Sequence, residues 1–136
     1  LGQAIQLYRE NFEPSEYLDR PYVSMGVPTC VADTDEEAQY LATSAYQRVL
    51  SLIRGQSLKL KAPIDSMEGL WSPPEKMSVD NFFAMAQVGS KETVKAGLEA
   101  LLAKYDVDEF IFTCDIYDTD KRLYNFDLLM QAKQGL

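Results

Sequence analysis

Apolar residues follow two kinds of pattern along the chain, and these predict strands and helices in turn. Two runs, residues 22–32 and residues 109–116, are mostly apolar with little polar alternation. A strand that is buried on both faces, as in a parallel sheet, has this pattern. Because a proline cannot donate a ladder hydrogen bond, we expect a bulge or break in the first strand between Gly26 and Pro28.

Five other segments carry apolar residues every three or four positions, the spacing of amphipathic helices. The predicted helices are residues 1–12, a helix that begins after Asp33 or Thr34 and ends near Arg54, residues 79–87, residues 91–105 and residues 121–133. The positions predicted to face inward are Ala38, Leu41, Ala42, Ala45, Val49, Leu52 and Ile53 in the second helix, Val94, Leu98, Leu101 and Leu102 in the fourth, and Leu123, Phe126, Leu129 and Met130 in the last. Strand followed by helix, repeated, is typical of α/β folds with a parallel sheet.

Polar residues at two helix starts have competing interpretations. The acidic residues 33–37 suit a helix N-terminus, with Glu36 or Glu37 at the capping-box position. We expect no metal there, because carboxylates in one helical turn do not converge on an ion. Ser90 ends a predicted turn at residues 88–90, and it is either an N-cap or part of a phosphate-binding turn.

Residues 56–78 are predicted to form a long irregular connection, since they include three prolines and no periodic pattern. Loops of this length are uncommon unless they cover a site or pack as an insertion. The only tryptophan of the chain, Trp71, lies in this connection. It either anchors the loop or forms the wall of a pocket.

The composition excludes several classes of function. The chain has 136 residues, enough for one domain, and 21 acidic against 13 basic residues give a formal net charge of −8. That charge disfavours binding to nucleic acid or anionic membrane, and no apolar run is long enough to span a bilayer. The lack of histidine removes Ser-His-Asp and Cys-His catalysis. Cys30 and Cys114 have no redox-motif spacing, so we expect two buried free thiols in a reducing, cytoplasmic compartment.

Two parallel strands that are apolar on both faces require neighbouring strands. The sequence predicts only these two. The neighbours therefore come either from a second copy of the chain or from residues upstream. The chain begins at Leu1 inside a helical pattern, which favours residues upstream.

Short stretches along nearly the whole chain share the order and spacing of one protein family. They are Leu7-Tyr8-Arg9, Phe12, Pro14-Ser15, Leu18 and Pro21-Tyr22-Val23; Ala32-Asp33-Thr34-Asp35-Glu36-Glu37-Ala38 and Leu41-Ala42-Thr43-Ser44; Arg54-Gly55, Pro63, Asp65-Ser66-Met67 and Leu70-Trp71; Val88-Gly89-Ser90 and Glu92-Thr93-Val94; and Ile116-Tyr117-Asp118 and Arg122-Leu123. As a set they resemble the C-terminal part of the luciferase-like flavin-dependent monooxygenases, in the branch called alkanal monooxygenase alpha-chain-like.

The resemblance implies a fold and an activity. Residues 1–136 would be a single helix-rich α/β segment, the C-terminal portion of a (β/α)8 TIM-type barrel with two late strands, whose N-terminal half is absent. Reduced FMN and O2 would oxidise an aldehyde or similar small organic substrate. FMN would be bound mainly by the absent half, so we expect the segment alone to be inactive. The expected partners are that substrate and O2, a flavin reductase and a second copy of the chain.

Candidate site residues follow from the rule that barrel enzymes place their chemistry at the C-terminal ends of strands. The rule puts Cys114, Tyr117, Asp118 and Arg122 near the flavin or the substrate, and Trp71 is a further candidate for the pocket wall. Asp118 and Arg122 have a structural alternative, as the cap of the last helix and as an ion pair at i, i+4.

One position departs from the family pattern. The family usually has a histidine after the Tyr-Asp pair, and this chain has Thr119. If that histidine serves catalysis, the activity is impaired, and the chain could instead be a non-catalytic flavin-binding or dimerising protein. If the histidine only caps the helix, threonine replaces it, because threonine is itself an N-cap residue.

Overall fold

The computed structural model describes all 136 residues as five helices and three strands. In chain order they are α1 (Gly2–Glu10), β1 (Ser24–Ala32), α2 (Asp35–Ile53), α3 (Pro73–Phe82), β2 (Gln87–Ser90), α4 (Lys91–Tyr105), β3 (Glu109–Thr113) and α5 (Thr119–Lys133). The predicted helix-rich α/β organisation is confirmed. The prediction of only two strands is wrong, because β2 replaces the predicted turn, and its four residues are too few to show a period. No helix combines the length and the apolar character needed to cross a membrane.

β1 is the middle strand of a parallel sheet with the order β2-β1-β3, and it changes partner along its length. Residues 24–28 pair with residues 109–113 of β3, and residues 29–32 pair with residues 87–90 of β2. The break predicted near Pro28 is wrong. Pro28 is the last residue in register with β3, so its missing N–H falls where one ladder ends and the other begins.

Side chains complete the hydrogen bonding of β1 beyond the end of β3. The Thr29 hydroxyl donates to the carbonyl oxygen of Thr113 at 3.0 Å. The Val31 N–H donates to Oδ1 of Asn125 at 2.7 Å. Asn125 is fully buried, so an α5 side chain satisfies a backbone donor that no strand satisfies here.

The largest core lies on the sheet face that carries α4 and α5. Its eleven buried members are Ile5, Met25, Val27, Val31, Val94, Leu98, Leu101, Tyr105, Val107, Leu128 and Leu129. The inward positions predicted for α4 are confirmed, except that Leu102 is only half-buried. Burying this many apolar side chains makes the face the main source of stability within the chain.

The opposite face of the sheet is covered over only part of its length. Cys30 and Ala32 are buried under α2. Ser24 and Gly26 lie on the same face, because side chains alternate along a strand, and both are exposed. Ile111 of β3 pairs with Gly26 and is 53% exposed. The prediction that both strands are buried on both faces is therefore wrong at this end, where no layer of the chain covers them.

Some apolar side chains that were predicted to face inward are exposed. Leu52 and Ile53 at the end of α2 are 46% and 42% exposed. On α5, Leu123, Phe126 and Met130 form a stripe that is 39% to 62% exposed. These predictions are wrong because helical spacing identifies an apolar face without showing that the chain has anything to cover it.

α3 begins at Pro73 rather than at the predicted position 79, and a capping box explains the difference. The Ser72 hydroxyl accepts a hydrogen bond from the Glu75 N–H, and the Glu75 carboxylate accepts one from the Ser72 N–H at 2.8 Å. Pro73 and Pro74 lie in the first turn, where a missing N–H costs nothing. The irregular connection is therefore shorter than predicted and ends at Ser72.

Candidate functional site

The three strands are parallel, so their C-terminal ends point to one edge of the sheet, although β3 ends beside Pro28, before β1 and β2 end at Ala32 and Ser90. Residues 33–35 follow β1, Lys91 follows β2 and residues 114–118 follow β3. In barrels and open α/β sheets this edge carries the chemistry. The predicted site residues should therefore meet here.

A carboxylate of α2 occupies the N-terminus of α4. Oδ1 of Asp35 accepts a hydrogen bond from the Ser90 N–H at 2.6 Å. This bond, with a second from the Thr93 hydroxyl, lowers the pKa of Asp35. Gly89 permits the approach, since a Cβ there would lie 2.7 Å from Oδ1 of Asp35. The N-cap interpretation of Ser90 is confirmed by its bond from the Thr93 N–H at 3.3 Å, and a phosphate would have to displace Asp35.

The start of α5 is held by Asp118, whose carboxylate accepts a hydrogen bond from the Lys121 N–H at 2.9 Å. The predicted capping role of Asp118 is confirmed. The capping role considered for Thr119 is wrong, because Thr119 is the first helical residue and Asp118 takes the cap position. The predicted ion pair of Arg122 with Asp118 does not form, and the two share only a backbone hydrogen bond of 3.0 Å.

The Arg122 side chain has unused hydrogen-bonding capacity. Its Nε is buried and has no hydrogen-bond partner. Burial raises the pKa of the nearby Cys114 thiol, and the positive charge of Arg122 opposes that shift. Because leaving a buried donor unpaired is costly, an acceptor from a substrate or from another part of the protein would find a ready partner in Arg122.

Cys30 and Cys114 are free thiols, as predicted, and both belong to one apolar cluster. The prediction that both are buried is wrong for Cys114, which is only half-buried. Burial raises the pKa of Cys30 to about 12, and the negative charge of a Cys114 thiolate adds to the effect. The pKa of Cys114 is raised as well. Both thiols are protonated near neutral pH, so neither is an activated nucleophile.

Two hydrogen-bonded polar pairs at this edge could not be predicted from the sequence. Nε of Arg48 donates to Oδ2 of Asp115 at 2.8 Å. The Tyr124 hydroxyl donates to Oδ1 of Asp33 at 2.7 Å, which raises the pKa of Tyr124. The partners are 67 and 91 residues apart in the chain, so no local pattern could have revealed them.

Comparison with known proteins gives a family although no protein-family model matches the chain. A luciferase-like monooxygenase of Escherichia coli (strain K12) is 38% identical over 136 residues, which is 100% of this chain. The chain fits the luciferase-like monooxygenase family along its whole length. The match covers 41% of the E. coli protein. YvbT, an uncharacterized protein of Bacillus subtilis (strain 168), is 41% identical over 126 residues, covering 93% of this chain and 38% of YvbT.

This luciferase-like chain thus spans about two fifths of the length of those relatives. Its fold also occurs in the crystal structure of apo-MsnO8, with a TM-score of 0.73 over 97% of this chain and 41% of that chain. The two are 23% identical, so the likeness establishes the fold alone. The matches fit a C-terminal segment of the family, as the resemblance implied.

In this luciferase-like chain the structure brings together only part of the predicted site. Cys114 and Arg122 lie close together behind the end of β3, while Asp118 caps α5. Tyr117 is 51% exposed and borders an open cleft. Trp71 packs in a separate cluster, where it anchors the connection against Val49, Leu50, Met67 and Val79. That any of these residues contacts flavin or substrate stays a prediction.

Proposed function

We propose that this chain is the C-terminal part of an FMN-dependent monooxygenase, an oxidoreductase that uses reduced flavin and O2 to oxidise an aldehyde or similar small organic substrate. The observation that carries the proposal is the 38% identity with a luciferase-like monooxygenase along the whole chain. The name of that relative gives the reaction class, while the cofactor and the substrate class are part of our proposal.

The complete fold in this proposal is a (β/α)8 barrel, and residues 1–136 are one segment of its single domain. β1 and β3 pair in parallel and each is followed by a helix, as neighbouring strands of such a barrel are, while the four-residue β2 lies on the other side of β1. Parallel sheets are normally covered on both faces, yet Ser24, Gly26 and Ile111 are exposed on one face. Further barrel strands would give both outer strands a neighbour and close this face.

In this proposal FMN is held mainly by barrel residues outside this chain, so the isolated chain should not bind it tightly. The cavity between β1 and α2 has a volume of about 30 Å³, which is room for one or two water molecules. Pockets for ligands of this size have volumes of roughly 300–1,000 Å³. That cavity, beside the end of β3, is therefore too small for FMN.

This chain contributes one wall of the proposed pocket, at the end of β3. Arg122 has the most direct role, because its buried Nε has no acceptor within the chain. Cys114 is an apolar wall residue, since its thiol stays protonated. Asp118 supports the wall by capping α5. The other partners in the proposal are a flavin reductase that supplies reduced FMN and a second copy of the chain.

A segment exchange tests the proposed function. In the E. coli relative, the residues that this chain matches are replaced by this chain. FMN binding is measured by flavin fluorescence, and aldehyde oxidation is measured with O2 and a flavin reductase that supplies reduced FMN. We expect the chimera to bind FMN and to oxidise the same aldehydes as the intact relative. Arg122→Leu in the chimera should lower the rate of oxidation, because it removes a donor at the pocket wall.

The intact relative and a version without the matched segment are the controls. A folded chimera that binds FMN without oxidising any aldehyde favours the alternative, a non-catalytic flavin-binding protein. Thr119→His in that chimera then shows whether the departure from the family pattern is the cause. Failure of the intact relative to bind FMN would contradict the proposal for both proteins.

A further inference from the structure

An open cleft lies between the C-terminal end of α2, the connection that follows it and the exit of β3. Its volume is about 500 Å³. The side chains that matter for its chemistry are Ser51, Gln56, Ser57, Lys59, Lys61 and Tyr117. No acidic residue lines it, although the chain as a whole has 21 of them.

Hydrogen bonds to α2 hold the walls of this cleft in place. The Gln56 N–H donates to the carbonyl oxygen of Ser51 at 2.8 Å, at the point where the chain leaves the helix. Nε2 of Gln47 donates to the carbonyl oxygen of Ala62 at 3.0 Å, at the other end. The stretch that carries Lys59 and Lys61 is therefore attached to α2 at both of its ends.

The cleft is positively charged, although the chain as a whole is negatively charged. Lys59 and Lys61 are exposed and form no ion pair with a carboxylate, whereas the preceding basic residue, Arg54, is paired with Glu75. Two unpaired cations in one concave surface attract anions, even on a protein whose formal net charge is −8. Lysine side chains and serine hydroxyls are donors that suit phosphate or carboxylate oxygens.

Tyr117 adds an apolar contact to these charges. Its ring is 51% exposed at the mouth of the cleft. An aromatic ring in that position can stack on the planar part of a ligand. We propose that the cleft binds a small aromatic anion, with Lys59 and Lys61 at its phosphate or carboxylate group and Tyr117 against its ring. This site belongs to residues of this chain alone and does not rest on the proposed monooxygenase activity.

Titration of the 136-residue chain with phenyl phosphate and with inorganic phosphate tests the site. Affinity is measured by calorimetry at low salt, and the binding position by amide NMR shifts. We expect saturable 1:1 binding of phenyl phosphate, with shifts at residues 51–62 and 117. The double variant K59Q/K61Q should bind both probes about tenfold more weakly or worse, because charge-assisted hydrogen bonds are lost. Tyr117→Ala should weaken the binding of phenyl phosphate and leave the binding of inorganic phosphate unchanged.

The variant K104Q/K133Q is the matched control. It also removes two positive charges, but from exposed positions outside the cleft, so its affinity for phenyl phosphate should be unchanged. Circular dichroism checks that all variants stay folded. Equal losses in K59Q/K61Q and K104Q/K133Q, or no saturable binding to the unaltered chain, would overturn the proposal. Benzoate in place of phenyl phosphate then shows whether a carboxylate is accepted equally well.

Discussion

The two faces of the sheet are held in different ways. On one face, α4 and α5 bury eleven side chains in a single cluster. On the other, α2 covers only the C-terminal half of β1 with a cluster of six buried residues, and a separate cluster of four joins α2 to α3 and to the connection between them. Polar contacts such as the one between Arg54 and Glu75 attach the remaining elements. The first face can therefore fold as a unit of this chain, whereas the second depends on local contacts and, in the proposed barrel, on further residues.

The largest difference between the faces should appear when one side chain is shortened on each. Leu98 is fully buried in the α4 and α5 core, so Leu98→Ala should lower the free energy of unfolding by about 2–5 kcal/mol. Ile111→Ala on the bare face should change it by no more than about 0.5 kcal/mol. Urea denaturation measures both. Comparable losses in the two variants would mean that the bare face is covered in solution.

A smaller loss of unfolding free energy is expected for a hydrogen bond to β1, on the face that α4 and α5 cover. Asn125→Ala leaves the Val31 N–H without its acceptor, which should cost roughly 1–3 kcal/mol. Asn81→Ala, at an exposed position of α3, is the control and should be nearly neutral. The same denaturation measurement applies. If Asn125→Ala is also neutral, water or another group accepts the hydrogen bond of the Val31 N–H, and this edge of β1 is accessible to solvent.

The sequence predicts the elements of the covered face well, for physical reasons. α4 has the predicted bounds, because Ser90 caps it and its apolar spacing is satisfied by partners within the chain. The stripe of Leu123, Phe126 and Met130 on α5 has the same kind of spacing but no cover. β2 could not be predicted, because a four-residue strand is defined by its pairing with β1 and not by its own pattern.

The candidate site is less predictable than the fold because its contacts join distant parts of the chain. Asp118 could be assigned as a cap from its position just before a helical pattern. The bond between Asp35 and the Ser90 N–H joins residues 55 positions apart and had no local signal. The start of α3 did have a local signal in the sequence. Serine at position 72 and glutamate at position 75 flank two prolines, which is a capping-box sequence.

That capping box gives the next prediction, on the less covered face. Ser72→Ala removes the acceptor for the Glu75 N–H and should cost about 1 kcal/mol. Ser78→Ala within the same helix is the matched control. Since alanine has the higher helix propensity, this change should be neutral or slightly stabilising. A similar loss in both variants would show that serine hydroxyls stabilise α3 for a reason other than capping.

The smallest expected effect concerns the pH dependence of the contact between α2 and α3. Hydrogen bonds from Arg54, and next from the Ser72 N–H, lower the pKa of Glu75 from 4.5 to about 2. The unfolded chain therefore takes up a proton at Glu75 at a higher pH than the folded chain does. The stabilisation is fully present above pH 4.5 and is lost as the pH falls through 4.5 towards 2.

Glu75→Gln separates this charge effect from the cap, because glutamine also serves as the third residue of a capping box. The unaltered chain should be more stable than the variant at about pH 6, and the difference should shrink at about pH 3 as the unfolded chain becomes protonated. Urea denaturation at the two pH values measures the difference. The effect is small because solvent and salt screen a partly exposed pair. A difference that is the same at both pH values would mean that the pair of Arg54 and Glu75 does not hold α3 against α2. The second face would then depend on its two small apolar clusters alone.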